Sequence, residues 1–346
     1  MSDALRVALI FTVLNEAAAL PGLLDSLAAQ TRLPDEIIVC DGGSRDNTVA
    51  LLRAERRFPL HVIEAPGANI SRGRNLAIAA ASHPVIACVD AGVCIAPDWL
   101  EHLTEPFTRA AAVQLPPNPS TVPNAVALHE TTWVGGFFLP DAHNLFEVAM
   151  SATVLPALAD INPATFLPSS RSVAFLKSAW EQVGGYPEWL DYCEDLIFDL
   201  KLRAAFGQCL FAPNAVVYFR PRSSLRSFYK QYYLYARGDG KADLWLKRHL
   251  ARYAVYLVAL PILLDGIIAA PDAWLRSLSA IFLLIGIASY ARAPYRRLAA
   301  SWSRLSRIEQ ARAALLVPVI RVVGDVAKML GYPAGILWRL RHPLSR

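Results

Sequence analysis

The segment IIVCDGGSRDNT, residues 37–48, is an apolar strand that ends abruptly in an aspartate and two glycines. A first apolar strand, VALIFTV at 7–13, runs into an Asn-Glu pair, and a later one, VIACV at 85–89, runs into Asp90. Three buried strands are therefore expected to deliver a carboxylate at, or just beyond, their carboxyl ends. Ligands of open α/β sheets bind in the crevice outside those ends. Carboxylates there can hydrogen-bond base and ribose groups or hold a divalent cation, so the pattern points towards a nucleotide.

The N-terminal part of the chain alternates short apolar strands with helical patterns. Helices are expected over 15–30, 45–57 and 72–81, and each is followed by a strand. This βαβα order, with the short loops of compact α/β units, predicts a mainly parallel, doubly wound sheet. From residue 114 to about 166 the pattern loosens around a proline-rich run at 115–119, and we expect a mobile or acceptor-facing segment there.

Composition limits the kinds of protein that this chain can be. It has 346 residues, of which 54% are hydrophobic, and its mean hydropathy of +0.32 exceeds what a soluble enzyme needs, so we expect part of it to meet lipid. The net charge of +5 comes largely from an arginine-rich final third, which suits an anionic membrane face better than nucleic acid. The five cysteines have no CxxC spacing, which favours a reducing cytosol over a metal cluster or a disulfide framework. The N-terminus lacks signal-peptide features, so the catalytic part is expected in the cytoplasm.

Two apolar stretches, at about 253–270 and 276–291, dominate the last third of the chain. A bilayer core of ~30 Å needs roughly 20 helical residues, and both stretches approach that length with their flanks. Basic residues precede the first stretch and follow the second, so we predict a transmembrane hairpin with cytoplasmic flanks. Buried helices, or helices lying on the membrane, are the alternative. Residues 308–341 are typical of interfacial helices, which divides the chain into a first domain at 1–240 and a membrane region at 241–346.

A series of short motifs links the strand ends to the later part of the chain. The motifs are TVLNE at 12–16, DGGS at 41–44, GRN at 73–75, DAG at 90–92 and ED at 194–195. Because these five motifs occur in this order, the chain from Val7 to about Leu210 resembles a family 2 glycosyltransferase of the membrane-associated bacterial type. The resemblance implies the GT-A fold, a Rossmann-like α/β nucleotide-diphospho-sugar transferase fold, followed by C-terminal membrane helices. It also implies an inverting, hexosyltransferase-like enzyme of EC class 2.4.

The resemblance assigns nucleotide-sugar binding to residues at the strand ends and at one helix start. These residues are Thr12, Asn15, Glu16, Asp41, Arg72, Arg74, Asn75 and Asp90. Asp41 can accept a hydrogen bond from a base imide and Glu16 can hold ribose hydroxyls, although Asp41 could instead form an Asx turn before the glycines. Arg72 and Arg74 could pair with the diphosphate in a fork geometry that lysine cannot match, or lie on a solvated helix face. Asn75 is expected to support that loop.

Asp90 is the expected metal ligand or ribose contact. Mg²⁺ or Mn²⁺ would neutralise the charge that grows on a diphosphate leaving group. The family usually carries Asp-x-Asp, and this chain has Gly92 in place of the second aspartate. A cation held by Asp90, the diphosphate and water is compatible with that departure, because Mg²⁺ commonly keeps several waters. The alternative is a structural aspartate that caps the following turn.

The resemblance assigns catalysis to Asp195 and Glu194. An inverting transfer needs one base to take the proton of the acceptor hydroxyl, and Asp195 is implied as that base, with Glu194 orienting it or the acceptor. An acidic helix start, stabilised by the helix dipole, is the other interpretation. Gln231, Tyr235 and Arg237 precede the predicted hairpin and could line the acceptor side, or belong to a juxtamembrane helix. Processive synthases of the family carry Gln-x-x-Arg-Trp near this place, and only Gln231 fits it, which indicates transfer of one sugar.

Other enzyme classes fit the motifs less well. A sugar nucleotidyltransferase should have a glycine-rich basic loop after its first strand, and a dinucleotide dehydrogenase needs a GxGxxG turn. Neither motif is present at the expected strand ends. We therefore expect an inverting enzyme that moves a single sugar from a UDP- or GDP-sugar to a lipid or lipid-linked acceptor, at the cytoplasmic face of a bacterial inner membrane, with no nucleic-acid partner. The alternative is a membrane-tethered nucleotide-sugar-binding protein whose transferase fold is degenerate and inactive.

Overall fold

A computed structural model describes residues 5–113 and 131–342. The proline-rich run at 115–119, and with it much of the predicted acceptor-facing segment, lies outside the described residues. The chain divides into two compact units. Unit 1 comprises Met1–Asp141 and Leu158–Phe219, and unit 2 comprises Ala142–Ala157 and Arg220–Arg346. The predicted domain boundary at residue 240 stays a prediction.

Unit 1 is built on a sheet whose strands follow the apolar runs of the sequence. The strands are β1 (Val7–Val13), β2 (Glu36–Asp41), β3 (Leu60–Glu64), β4 (Val85–Cys88), β5 (Val93–Ile95), β6 (Trp133–Pro140), β7 (Val173–Leu176) and β8 (Leu210–Phe219). Their order across the sheet is β3-β2-β1-β4-β7-β6-β8-β5. The pairs β1–β2, β1–β4, β2–β3 and β6–β8 are parallel, and β4–β7, β6–β7 and β5–β8 are antiparallel. This mixed, mostly parallel sheet confirms the predicted α/β class.

The helices of the described residues alternate with these strands and then continue alone to the end of the chain. They are α1 (Leu20–Ala28), α2 (Thr48–Ala54), α3 (Ile70–Ala80), α4 (Trp99–Val113), α5 (Leu145–Val154), α6 (Lys177–Val183), α7 (Glu194–Phe206), α8 (Leu225–Lys241), α9 (Leu246–Ala254), α10 (Leu260–Ala269), α11 (Ala273–Ala299) and α12 (Arg307–Arg341). A π-helical turn, Val255–Ala259, joins α9 to α10. Unit 1 holds α1 to α4, α6 and α7, and unit 2 holds the others.

Hydrophobic clusters cover both faces of the sheet. Leu9 belongs to one cluster with Leu23 of α1 and Trp99 of α4, while Ile10, on the opposite face of β1, belongs to another with Ile78 of α3. All five side chains are fully buried. Burying a leucine or isoleucine side chain stabilises a fold by about 1.5–3 kcal/mol. Because both faces of the parallel strands are covered, these strands are continuous apolar runs rather than alternating ones.

The first helix begins later than the pattern over 15–30 predicts. Asn15 has a φ of 57°, in the left-handed region, so the chain cannot continue from β1 directly into a right-handed helix. The carbonyl of Glu16 accepts a hydrogen bond from Leu20 N at 2.9 Å, which closes a turn. Pro21 then occupies the first turn of α1, where its fixed φ is favourable. The other two predicted helices form as α2 and α3.

The carboxyl ends of β2, β1 and β4 lie together at one edge of the sheet. Val13 pairs with Asp41 across β1 and β2, and Ile10 pairs with Cys88 across β1 and β4. The loops that follow these strands are therefore neighbours in space, as expected for parallel strands. This edge holds the residues that the sequence marked as nucleotide-binding.

Unit 2 is helical, and α8 packs closely against α12. Cβ atoms added to Gly331 and Gly335 of α12 would collide with the backbone carbonyl oxygens of Tyr233 and Arg237 in α8. Only glycine permits this approach of the two backbones. Phe228 of α8 is buried in a cluster with residues of α5 and α12.

Two helical stretches of unit 2 are long and apolar enough, by length and composition alone, to cross a membrane. They are Leu246–Ala269 and Ala273–Ala299, and in the most apolar part of each no residue is buried. They overlap the predicted spans at 253–270 and 276–291. The two stretches pack side by side, because Gly266 lies against Ser279 and the hydroxyl of Tyr256 lies 2.9 Å from that of Tyr290. The predicted interfacial segment forms a single helix, α12, of 35 residues.

Candidate active site

Arg74 joins two carboxylates that come from distant parts of the chain. It lies on α3 and is only 2% exposed. Its Nη2 donates to Oδ1 of Asp90 at 2.9 Å, and its Nη1 donates to Oε1 of Glu194 at 2.8 Å. Asp90 follows β4 and Glu194 opens α7, so this one guanidinium fixes a strand end against a helix start. Ion pairs buried in this way depend on good geometry, because each charge has lost its water.

Asp195 and Glu194 share the start of α7 but have different surroundings. Glu194 is buried, and this burial, together with the neighbouring charge of Asp195, raises the pKa of Glu194 to about 7. Asp195 is only partly buried, and its Oδ1 accepts a hydrogen bond from Leu196 N at 2.8 Å. Glu194 is therefore not part of an exposed acidic helix start. The more open carboxylate of the two is Asp195, which the sequence predicts as the base.

Asn75 fixes the loop that leads to α7. Its Nδ2 donates to the carbonyl of Tyr186 at 2.9 Å, and its Oδ1 accepts from the amide of Tyr186 at 2.9 Å. The neighbouring Gly185 has a φ of 65°, and a Cβ there would lie 2.7 Å from Asn75 Oδ1 and 2.8 Å from Trp180 Nε1. Glycine is thus required at position 185 for two reasons: its φ is positive, and Asn75 leaves no room for a Cβ.

Asp41 lies where β2 ends and is 2% exposed. Its Oδ2 accepts hydrogen bonds from the amides of Gly43 and Ser44, both at 3.0 Å. The carboxylate therefore makes the Asx turn that was the alternative interpretation of this motif. A contact to a nucleotide base stays a prediction.

The loop after β1 is tied to the loop after β2. Oδ1 of Asn15 accepts from the amide of Arg45 at 2.8 Å, and the amide of Glu16 donates to Oγ1 of Thr48 at 2.8 Å. Thr12 lies against α3, since a Cβ on Gly73 would come within 2.9 Å of its γ-methyl carbon. These contacts hold Thr12, Asn15 and Glu16 at the sheet edge. Their contacts to a nucleotide sugar stay predictions.

Arg72 differs from Arg74 although both lie in the first turns of α3. Arg72 is exposed, and its backbone amide donates to the capping side chain of Asn69 at 2.9 Å. An exposed arginine beside a helix N-terminus is well suited to bind phosphate. Arg74, by contrast, is occupied by Asp90 and Glu194, so the geometry favours a positioning role for it.

Arg171 is a site residue that the sequence motifs did not mark. Its Nε lies 3.3 Å from Oδ2 of Asp90. The signal that could have found it is topological: β7 runs antiparallel to β4, with Val173 paired to Cys88, so residues just before β7 lie beside those just after β4. An arginine in the polar turn before β7 therefore comes to the same edge as Asp90.

The residues around Asp90 do not fit a bound divalent cation well. Each of its carboxylate oxygens faces a guanidinium, from Arg74 and Arg171 respectively. Gly92 offers no side-chain donor. In the part of the chain that the structure describes, no cluster of three His, Cys, Asp or Glu side chains could hold a metal ion.

Gln231, Tyr235 and Arg237 lie on α8 in unit 2. Gln231 Nε2 donates to the hydroxyl of Tyr235 at 2.8 Å, as residues four apart on a helix can. Arg237 lies two positions further along the same helix. The structure thus brings Gln231 and Tyr235 together, and the acceptor role of all three residues stays a prediction.

Comparison with known proteins agrees with this architecture. Residues 8–151 match the family described as Glycosyl transferase family 2. The O-antigen chain rhamnosyltransferase RfbN of Salmonella typhimurium is 24% identical over 238 residues, which are 66% of this chain and 71% of that protein.

Two solved structures are similar to this chain over nearly its whole length. The mannosyltransferase PcManGT from Pyrobaculum calidifontis, in complex with GDP-Man and Mn²⁺, matches with a TM-score of 0.51 and 18% identity over 97% of this chain and 87% of that one. S. aureus TarS 1–349 in complex with UDP-GlcNAc matches with a TM-score of 0.50 and 16% identity over 97% of this chain and 92% of that one. The chain spans 55% of the length of a longer TarS chain. The family match over residues 8–151 and the similarity to a rhamnosyltransferase thus identify the chain as a glycosyltransferase with a GT-A-like fold, which transfers a sugar from a nucleotide sugar.

Proposed function

We propose that this enzyme moves a single sugar, with inversion, from a UDP- or GDP-sugar to a lipid or lipid-linked acceptor at the cytoplasmic face of a bacterial inner membrane. The observation that carries the proposal is the double ion pair of Arg74. It holds Asp90, at the end of β4, and Glu194, beside Asp195, at the same edge of the sheet. Inverting sugar transfer requires the diphosphate of the donor and a general base to lie close together in one site.

The donor class is supported by chemistry at the sheet edge and by the relatives. Asp41 and Glu16 lie at the edge of the sheet outside which ligands of open α/β sheets bind, and Arg72 is exposed at the start of α3. The similar structures are complexes with GDP-Man and with UDP-GlcNAc, and the similar RfbN is a rhamnosyltransferase. These proteins differ in the sugar concerned, so the proposal extends to the nucleoside-diphosphate sugar class and not to one sugar.

The reaction assigns separate tasks to the carboxylates. The acceptor oxygen attacks the anomeric carbon opposite the leaving group, and the carboxylate of Asp195 takes the acceptor's proton. The bond from the anomeric carbon to the diphosphate oxygen breaks, and its electron pair leaves with the diphosphate. Glu194, fixed by Arg74, positions Asp195 through the start of α7. An Asp90-bound Mg²⁺ or Mn²⁺ was expected from the resemblance, but the two guanidinium groups on Asp90 argue for another source of positive charge.

A membrane acceptor is supported by the surface of unit 2. The two apolar stretches Leu246–Ala269 and Ala273–Ala299 have no buried residue in their most apolar parts. Asp325 of α12 accepts hydrogen bonds from Arg252, at 2.8 Å, and from Tyr290, at 2.5 Å, so α12 is fastened to the end of the hairpin that carries the basic flanks. Those flanks are expected in the cytoplasm.

The outer face of α12 suits a position on the membrane surface. Its exposed apolar side chains recur at spacings of three, four or seven residues; they are Ile308, Leu315, Val319, Val322, Val326, Leu330, Leu337 and Leu340. A helix of 35 residues is about 50 Å long, so this stripe is larger than the apolar patches that soluble monomers usually expose. The opposite face of α12 is packed within unit 2. The proposal therefore places α12 in the interface and the hairpin across the bilayer.

A donor screen tests the proposed function. Full-length protein in detergent would be given a panel of UDP- and GDP-sugars with extracted bacterial lipids, and released nucleoside diphosphate and glycosylated lipid would be measured. We expect one donor to give both products in equal amounts, with an inverted anomeric configuration. Binding of a donor without release of diphosphate would favour the inactive, binding-only alternative. A product of retained configuration would contradict the assignment of a single base.

A further inference from the structure

The motif that begins at Asp90 offers no second carboxylate, because glycine occupies position 92. Space for a side chain exists there, since a Cβ built on Gly92 meets no atom within 4 Å. The described residues also offer no three-member cluster of metal-binding side chains. The usual donors for a tightly held divalent cation are thus missing, and Gly92 is not explained by crowding.

Two arginines balance the charge of Asp90 instead. Arg74 faces one carboxylate oxygen at 2.9 Å and Arg171 faces the other at 3.3 Å. A divalent cation at this carboxylate would stand beside two positive groups, and such like-charge contacts cost more free energy in a crevice than in water. The side chain of Arg74 is 3% exposed, whereas that of Arg171 is 23% exposed and that of Asp90 is 29% exposed. Arg171 therefore borders the open side of the site.

Arg171 is held in place by aromatic rings. The central carbon of its guanidinium lies 4.8 Å from the ring centroid of Phe219 and 5.8 Å from that of Phe138. The turn that carries it is closed by a hydrogen bond from Ser172 N to Ser169 O at 2.9 Å. A guanidinium oriented before the substrate arrives stabilises developing charge without a further cost of ordering.

We propose that Arg171 supplies, in place of a divalent cation, the positive charge that stabilises the leaving nucleoside diphosphate. This inference rests on the proposed function. When the bond from the anomeric carbon to the diphosphate oxygen breaks, the electron pair stays on that oxygen, and the guanidinium of Arg171 pairs with the negative charge so formed. The new bond forms to the acceptor oxygen, whose proton goes to Asp195. The charge of Arg171 does not depend on pH in the working range, since arginine stays protonated in proteins.

Nucleotide binding gives the first test. The full chain in detergent would be titrated with UDP and with GDP by calorimetry, in EDTA and again with Mn²⁺. For the nucleotide that binds, we expect Mn²⁺ to change the wild-type affinity by less than about threefold, and Arg171→Ala to weaken it by about tenfold or more. Arg171→Lys should fall between, because lysine keeps the charge but loses the fork and the ring contacts. Arg109→Ala, which removes an exposed guanidinium on α4, is the matched control and should bind as the wild type does.

Catalysis and a rebuilt site give the second test. With the donor found in the screen, the wild type should keep its kcat in EDTA, and Arg171→Ala should lower kcat by about 10²–10³-fold. The double variant Gly92→Asp with Arg171→Ala restores a second carboxylate in open space, and we expect its nucleotide binding to become stronger with Mn²⁺. If Mn²⁺ did not change the nucleotide affinity of the double variant, the proposal that Arg171 takes the place of a divalent cation would be contradicted.

The outcomes separate this inference from the proposed function. Wild-type transfer that stops in EDTA and returns with Mn²⁺ would leave the proposed function standing and overturn the role of Arg171. Unchanged nucleotide affinity and kcat in Arg171→Ala would overturn it as well. If the wild-type protein bound neither UDP nor GDP, the proposed function would be contradicted, and this inference would fail with it. Thermal unfolding of each variant shows whether a loss reflects misfolding, and Arg171→Lys keeps the test valid if the alanine variant does not fold.

Discussion

Nη1 of Arg74 lies 2.8 Å from Oε1 of Glu194, although 120 residues separate them in the sequence. The contact joins α3, in the first half of the fold, to the helix that carries the predicted base. Both side chains are buried, so neither charge can find water if the other is removed. A missing partner therefore leaves an uncompensated charge, which is far more costly than losing an exposed ion pair.

Replacing Arg74 should destabilise unit 1 strongly. Arg74→Ala leaves Asp90 and Glu194 without their shared partner, and we expect the free energy of unfolding to fall by about 3–5 kcal/mol. Arg53→Ala breaks an ion pair to Glu64 in which both side chains are largely exposed, and should cost less than about 1 kcal/mol. Urea unfolding followed by tryptophan fluorescence would measure both. Equal losses in the two variants would show that burial does not strengthen the Arg74 pairs.

The raised pKa of Glu194 predicts a specific pH dependence of stability. The folded protein holds this proton up to about pH 7, whereas the unfolded chain releases it near 4.5. The folded state therefore binds the proton more tightly, and the associated stability is present below pH 4.5 and is lost as the pH rises through about 7. Relative to Glu194→Gln, which cannot titrate, the wild type should lose on the order of 1–3 kcal/mol between pH 4.5 and 7.5. Thermal unfolding of both proteins across that range would reveal it, and parallel curves would contradict it.

Asp195→Asn should remove the base without disturbing the site. Its kcat should fall by a factor on the order of 10²–10⁴, the usual contribution of general base catalysis, while binding of the nucleotide sugar is retained. Asp98→Asn, an exposed aspartate of unit 1 that pairs with His102, is the control and should keep wild-type kcat. Comparable losses of kcat and of donor affinity in Asp195→Asn would mean that the residue binds the donor instead.

Gly185→Ala should loosen the loop before α7 by two effects at once. The residue has a left-handed φ of 65°, and the new methyl group would press on Asn75 and Trp180. Gly184 also has a left-handed backbone, with a φ of 73°, but a Cβ there meets nothing within 4 Å, so Gly184→Ala reports the backbone term alone. We expect about 1–2 kcal/mol for Gly184→Ala and about 1–3 kcal/mol more for Gly185→Ala. If the two variants were equally stable, the contact with Asn75 would not matter for the loop.

The sequence predicts this fold well wherever the information is local. The strands before Asp41 and Asp90 are continuous apolar runs, and parallel strands necessarily bring their ends to one edge. The start of α1 was misplaced because the left-handed backbone at Asn15 leaves no trace in hydrophobic periodicity.

Side-chain partnerships could not be predicted in the same way. Arg171 meets Asp90 only because β7 enters the sheet antiparallel to β4, and strand order is not encoded in any one segment. The Asx turn of Asp41 and the burial of Glu194 likewise depend on which neighbours the folded chain supplies. The motifs thus marked residues that the structure brings to one edge of the sheet, while the pairs that they form needed the structure.

Cysteine labelling can decide whether the hairpin crosses the membrane. If it does, the short turn between the two apolar stretches lies outside the cytoplasm, so a cysteine introduced by Asp272→Cys should react with a membrane-impermeant maleimide in intact spheroplasts. Cys94 is an exposed native cysteine of unit 1 and serves as the internal control, because a cytoplasmic catalytic unit should leave it unlabelled until the cells are lysed. A tag placed after Arg346 should likewise be reached by protease only after lysis, since both basic flanks are expected inside. Labelling of position 272 only after lysis, with retention of the protein in carbonate-washed membranes, would mean that the hairpin is embedded from one side without crossing. Labelling of Cys94 in intact spheroplasts would contradict the cytoplasmic placement of the catalytic unit.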